Sequence, residues 1–283
     1  MRRYSAHSQR SEVIVSGGSM AVLSLKVINE QDQVKCVASG ENEVCLVSTL
    51  TYVKGDRLCL ESDRKNIWLW LQFDDAMGRS LVYIKDNISY PIPFGEERTS
   101  YSPKAFYGDR HYLYARLARE DEVGAYRNLA LNVYDRHGDT GCFPHAYANV
   151  ETRGEAVFAA RNAIDGVIAN LAHGEWPYES WGINRRDDAC MTVDFGVDVI
   201  VEKIVLYTRA DFPHDNYWVN GCLEFSDQST MELPMEKSVA PHVFPVDAKV
   251  TRSITLKDLI KSGEESPFPA LTQIEVYGRV RDT

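Results

Sequence analysis

The sequence predicts an all-β protein built as two antiparallel β-sandwich domains, and three observations carry that prediction. From Ala21 onward the chain repeats short alternating or apolar runs rich in β-branched and aromatic residues, and a period of two in such residues is the signature of strands. Turn chemistry such as "KGDR" and "DDAMGRS" separates the runs, and helical periodicity is nearly missing, so strand follows strand as in a sandwich. The 283 residues exceed a typical domain of roughly 100–200 residues, which leaves length for two cores.

The elements follow in order. Residues 1 to 19 are basic at first and hold the linker-like "SGG" before a second methionine, Met20, so they read as a leader, a tag or a disordered arm. An N-terminal β-sandwich is placed over 20–120, with strands in "VLSLKVI", "EVCLVSTLTYV", "DRLCLES", "NIWLWLQF", "SLVYIK" and "HYLYARLA". A connecting segment takes 121–144; within "EDEVGAYRNLALN" a short helix and an extended crossover are both open, and Gly124 weighs against a helix. The second sandwich takes 145–283. Its alanine-rich "EAVFAARNAIDGVIANL" suits one or two helical turns. Strands then return in "CMTVDFG", "VEKIVLYTR", "CLEFSD", "MELPM", "HVFPVD", "RSITLKDL" and "LTQIEVYGRV".

Composition narrows the function. Hydrophobic residues are 44% and charged residues 25% of the chain, the balance of a globular protein. A net charge of −10 without any long Lys/Arg run argues against nucleic acid and against an anionic membrane surface, while leaving room for a local basic pocket. Neither a secretory h-region nor a bilayer-length apolar stretch is found, so the expectation is a soluble, cytoplasmic protein. Cys36, Cys45, Cys59, Cys142, Cys190 and Cys222 form no CxxC pair, so free thiols are expected rather than zinc or redox chemistry.

The C-terminal half carries an ordered set of motifs: "AARNAIDG" (Ala159 to Gly166), Trp181, "MTVDFG" (Met191 to Gly196), "VEKIVLYTR" (Val201 to Arg209), "LEFSD" (Leu223 to Asp227) and "QIEVYG" (Gln273 to Gly278). Over roughly residues 145 to 280 it resembles the galactose-binding-like family of carbohydrate-binding modules, the discoidin or coagulation-factor C-type sandwiches. The resemblance implies a jelly roll of eight strands with a sugar held by loops at one end. It also implies a structural calcium, with Asp165 and Glu275 as ligands and the backbone around Asn162 and Gly166 nearby; oxygen donors in a turn suit that ion. Here "DGVIANLAHG" supplies apolar residues where the family usually offers further metal-binding side chains, and an Asx-turn at Asp165 before Gly166 explains the same residues. The N-terminal half has no comparable fingerprint, though its aromatic and proline-rich stretch is compatible with a second jelly roll.

Three loops gather candidate binding residues. "TRADFPHDNYW" brings Arg209, Asp211, His214, Asp215, Asn216 and Trp218 together where a strand ends and Pro213 turns the chain. Carboxylates, an amide and a guanidinium match the paired hydroxyls or the acid group of a sugar, and an indole offers a flat face. "AHGEWPYESWGINRRDD" adds His173, Glu175, Trp176, Tyr178, Trp181, Arg185 and Arg186, with Trp176 the better stacking platform. "CFPHAYANVETRGE" adds His145, Asn149, Glu151, Arg153 and Glu155. A structural reading competes throughout: Arg209 bridging Asp211 and Asp215, Trp181 and Trp218 packed in the core, and the other polar groups solvated.

These residues lead to a non-catalytic carbohydrate-binding protein for an oligosaccharide or sugar acid. A second reading is a sugar-active hydrolase or lyase, using a carboxylate pair such as Asp211 and Asp215 or a metal on His145, His173 and His214. A third is a scaffold whose N-terminal sandwich assembles a homo-oligomer, because fold does not fix function.

Overall fold

The computed structural model describes residues 20–138 and 141–281; the arm expected over 1–19 lies outside the described residues, as do 139–140 within the expected connecting segment. The chain is all-β. Alternation does what the sequence requires of it: in β1 (Val22–Ile28) the side chains of Leu23, Leu25 and Val27 are fully buried while their neighbours face outward.

The first sandwich is built from β1, β2 (Val34–Glu41), β3 (Glu43–Ser48), β4 (Arg57–Ser62), β5 (Ile67–Gln72), β6 (Ser80–Ile84), β7 (Ile88–Pro91) and β8 (His111–Leu117). One sheet runs β2-β1-β4-β7, and the other β6-β5-β8-β3 with one further strand beside β6. Leu23, Leu25, Leu58, Leu60, Leu69, Leu71, Phe73 and Leu113 fill the space between them. A 3-10 turn, Gly95–Ser100, lies on the connection between β7 and β8.

The segment 121–144 is woven into both cores. A four-residue helix α1 (Glu120–Val123) gives way at Gly124, and β9 (Arg127–Asn128) follows. Leu129 and Ala130 then enter the second core, whereas Tyr134 and Cys142 belong to the first. β10 (Cys142–Phe143) is the strand that completes the first sandwich beside β6.

The second sandwich comprises β11 (His145–Ala148), β12 (Trp181–Gly182), β13 (Met191–Thr208), β14 (Trp218–Phe225), β15 (Thr230–Pro234), β16 (His242–Lys261) and β17 (Ala270–Val280), ordered β12-β17-β13-β16-β14-β15, with β11 beside β13 and β9 beside β17. Sequence runs expected as separate strands are continuous here, "MTVDFG" with "VEKIVLYT" in β13 and "HVFPVD" with "RSITLKDL" in β16. The reason is that the pairing resumes past each interruption. The β13/β16 register shifts between Asp194 and Val199 and again between Val201 and Lys203, and the same two strands pair on either side of both breaks. Gly196, with φ 74°, sits in the first break, where an added Cβ would lie 2.6 Å from the Phe143 ring. The curled sheet closes on Trp181, Trp218, Leu223, Leu256, Leu271 and Ile274.

Where "EAVFAARNAIDGVIANL" suits one or two helical turns, the chain makes short 3-10 turns, Ala156–Phe158 and Ala160–Ile164. No disulfide joins any of the cysteines among the described residues. No helix among the described residues is long and apolar enough to cross a membrane.

Candidate functional site

The loop after β13 is polar because it must tie itself down. Arg209 donates from Nε to Asp215 Oδ2 at 2.5 Å, from Nη2 to Asp215 Oδ1, and from Nη2 to the Phe268 carbonyl at 2.9 Å. Both side chains are buried, so each charge depends on the other. The same Asp215 carboxylate accepts the Asp211 amide at 3.2 Å. Asn216 donates through Nδ2 to the carbonyls of Ser262, Glu264 and Ser266, clamping the 262–266 turn to the loop. Trp218 lies in the core at 1% exposure. The polar density of "TRADFPHDNYW" is thus largely spent on holding two loops together.

Beside this clamp is a cavity of ≈ 240 Å³. Phe158, Ile183, Phe268 and Pro269 give it apolar walls, Arg209 and Asp215 border it as a neutralised pair, and Arg153, Arg185, His173 and His214 supply its remaining charge and hydrogen-bonding capacity. Arg153 binds Glu155. Arg185 instead lies over the Phe268 ring, 4.6 Å from its centroid, and has no carboxylate partner among the described residues. His173 Nδ1 meets Asp211 Oδ2, and His214 Nδ1 is 3.7 Å from the same oxygen; one carboxylate therefore serves two imidazoles that stand edge-on at 6.0 Å.

Backbone geometry sets this cavity apart. Arg153, Asn184 and Arg185, all lining it, adopt φ values of 54°, 48° and 62°, the left-handed region that costs a residue with a Cβ roughly 1–2 kcal/mol. Such conformations persist where the surroundings over-determine them, and they concentrate at binding sites.

The structure brings Arg209, Asp215, His173 and His214 to one cavity, with Asp211 against the histidines. The other candidates lie elsewhere. His145 is in β11 with its Nδ1 2.7 Å from Asp135. Trp181 is fully buried, its indole N–H donating to the Val150 carbonyl. Trp176 is 39% exposed, and its amide donates to the Thr99 carbonyl of the first sandwich at 2.9 Å. Sequence reasoning missed Phe158, Ile183 and Phe268 as walls; the one available signal was an aromatic residue bracketed by two prolines in "SPFPA".

The carboxylates assigned to calcium serve other partners. Asp165 Oδ1 accepts the Val167 amide at 2.9 Å, and Oδ2 lies 3.7 Å from Arg161 Nη2. Arg161 is itself buried, donates to the Asp135 carbonyl at 2.8 Å, and covers the Tyr101 ring at 4.4 Å. Burial, then the neighbouring Asp165 charge, pushes the Glu179 carboxyl well above its ordinary range, and burial raises Asp165 as well. Glu275 instead sits beside Tyr207 and Tyr277, whose phenols burial and then the Glu275 charge push upward. A guanidinium and one further carboxyl, Glu179, thus stand next to Asp165, and no group of three or more His, Cys, Asp or Glu among the described residues is placed to hold a metal.

No family model and no curated protein matches the sequence. Among solved structures, the lectin domain of lectinolysin complexed with Lewis B antigen is similar at 20% identity, covering 54% of this chain and 97% of that one with a TM-score of 0.41. A chitosan-binding module from a chitosanase/glucanase of Paenibacillus sp. IK-5 is similar at 19% identity, 53% and 98% coverage and a TM-score of 0.38. The family 32 carbohydrate-binding module of C. perfringens NanJ, in complex with galactose, is similar at 19% identity, 47% and 91% coverage and a TM-score of 0.35. All three are carbohydrate-binding domains, and the likeness to them is one of fold.

Proposed function

We propose that the protein binds an acidic glycan, without transforming it, in the cavity between the 152–158, 182–185 and 268–270 segments. The observation that carries the reading is Arg185: a guanidinium on an apolar wall, with no carboxylate partner among the described residues. Asp215, the acid bordering the same cavity, is already neutralised by Arg209, so the site has positive charge to offer. A uronate places its carboxylate in reach of a guanidinium fork and its C–H face against an aromatic ring. Arg185, seated over the Phe268 ring, offers the fork, and Phe158, Ile183 and Pro269 give the same cavity its other apolar walls.

The hydrolase or lyase reading draws less support. Of the two carboxylates proposed for acid/base work, Asp215 is held in a bidentate ion pair, whereas such work needs a proton that comes and goes. The test is thermal unfolding with polygalacturonate, heparin and neutral dextran, followed by chromatography of each glycan. A ligand that binds only the folded state raises Tm. The expected result is a rise with an acidic glycan, none with dextran, and unaltered glycan afterwards. Equal shifts with dextran, or none with either acidic polymer, would sink the proposal; shortened or unsaturated products would move it to the enzyme reading.

A further inference from the structure

The first sandwich has a cavity of its own, ≈ 480 Å³, bordered by Tyr52, Phe94, Phe106 and Tyr107 together with Arg98 and Asp109. Its volume falls in the range of roughly 300–1,000 Å³ that small-molecule sites occupy. Tyr52 is buried and stacks on His111 at 4.0 Å, its ring forming the floor of the cavity. Tyr107 is the opposite, 73% exposed, with the Arg98 guanidinium 5.5 Å from its ring centre. Phe106, between them, holds φ at 56° while its amide donates to the buried Asp74 carboxylate at 2.8 Å. The cavity therefore pairs flat aromatic faces with a carboxylate, hydroxyls and a guanidinium, the combination a pyranose ring with one apolar face and a belt of hydroxyls can use.

What connects this cavity to the first is the 3-10 turn Gly95–Ser100. Phe94 at its start and Arg98 within it face the second cavity. From the same turn, the Glu96 carboxylate accepts the Ala156 amide at 2.8 Å, and the Thr99 carbonyl accepts the Trp176 amide at 2.9 Å. Ala156 opens the 3-10 turn that ends at Phe158, a wall of the first cavity. At about 2 Å of rise per residue, one element on the order of 12 Å long thus anchors both sites.

We propose that the cavity at Tyr52 and Tyr107 is a second subsite for the same acidic glycan, so that one polymer is held across both sandwiches; this rests on the glycan reading of the first cavity. Two linked sites convert the second contact into an intramolecular one, and the gain can reach about 10²-fold without any change in either site.

The experiment is calorimetric titration of the full chain with digalacturonate and with polygalacturonate, using the native protein, the double variant Tyr107→Ala/Asp109→Asn and the single variant Arg185→Ala. Native protein should bind the polymer about 10²-fold more tightly than the dimer. The double variant should lose most of that gain, and the dimer should then bind at a single site per chain, the one at Arg185, with native circular dichroism; Arg185→Ala should lose affinity for the dimer at that site. A polymer gain that survives in the double variant overturns the second subsite alone. Native dimer affinity in Arg185→Ala overturns the reading of the first cavity, and no binding of either probe by native protein overturns both.

Discussion

Two regions of the second sandwich carry nearly the same side-chain chemistry and use it in opposite ways. In the loop 209–217, arginine, aspartate and asparagine turn inward, Arg209 and Asp215 satisfying each other and Asn216 clamping the 262–266 turn: Arg209 is 5% exposed, Asp215 0% and Asn216 1%. In the segments around 153 and 185, arginines stand in left-handed backbone on an open apolar wall, and Arg185 has no carboxylate partner among the described residues. The difference lies in satisfaction rather than in composition. A buried charge that has found its partner holds the fold together, while a charge the fold leaves unpaired in a cavity is available to a ligand.

The largest test of that contrast is Asp215→Ala. It strands the Arg209 guanidinium in the interior, and breaking one side of a buried pair costs about 3–5 kcal/mol. Urea unfolding should register that loss; a variant as stable as the native protein would show the pair to be dispensable and return Arg209 to the list of ligand groups. Arg185→Ala is the mirror case. Its unfolding free energy should stay within about 0.5 kcal/mol of native, as for an ordinary surface substitution. Its affinity for polygalacturonate should fall by about ten- to a hundredfold, the worth of one hydrogen bond to a charged group. Should Arg185→Ala unfold as readily as Asp215→Ala, the two regions would not differ in kind.

The contrast also explains what was legible in the sequence. Alternation exposed the strands, because a half-buried sheet imposes a period of two on "VLSLKVI" and "EVCLVS" alike. The loop 206–218 stood out because polar types were dense there, but density is blind to direction. The structural alternative, Arg209 bridging the aspartates and Trp218 in the core, could be stated from "TRADFPHDNYW" but not chosen, and it is the one that Asp215 and Trp218 follow. The cavity walls were invisible for a different reason. Phe158, Ile183 and Phe268 are far apart in the chain and look like ordinary apolar residues until long-range pairing, Trp181 with Leu271 and Gly182 with Ala270, draws their segments together. The continuity of β13 and β16 was hidden likewise, since a break in register and a turn leave similar residues behind.

A smaller effect is expected at the Asp165–Glu179–Arg161 cluster, where a charge is buried but only partly satisfied. The groups facing Glu179 are Asp165 and Arg161, with Tyr90, Tyr101 and Asp135 around the guanidinium. Because the Glu179 carboxyl is raised in the folded state, the fold binds its proton more tightly than the unfolded chain does. That contribution is fully present below the ordinary glutamate value and is lost as pH rises through the folded value. Glu179→Gln, neutral at every pH, should flatten this decline: the native melting temperature should drop relative to the variant between acid and neutral pH, and parallel curves would refute the assignment.

The smallest expected effect is that of calcium, and its size follows from the same cluster. A cation at Asp165 would have to approach a carboxylate that already faces the Arg161 guanidinium at 3.7 Å and accepts the Val167 amide. Calcium prefers six to eight oxygen ligands, and displacing the arginine to obtain them would leave a buried positive charge unpaired. Calcium and EDTA should accordingly give melting curves that superimpose. Arg161→Met removes the competing charge while keeping much of its stem, so it is the variant in which a calcium-dependent rise in Tm should first emerge. A rise already present in the native protein would mean that Arg161 yields to the metal, and that this buried pair, unlike Arg209–Asp215, is not closed to a ligand.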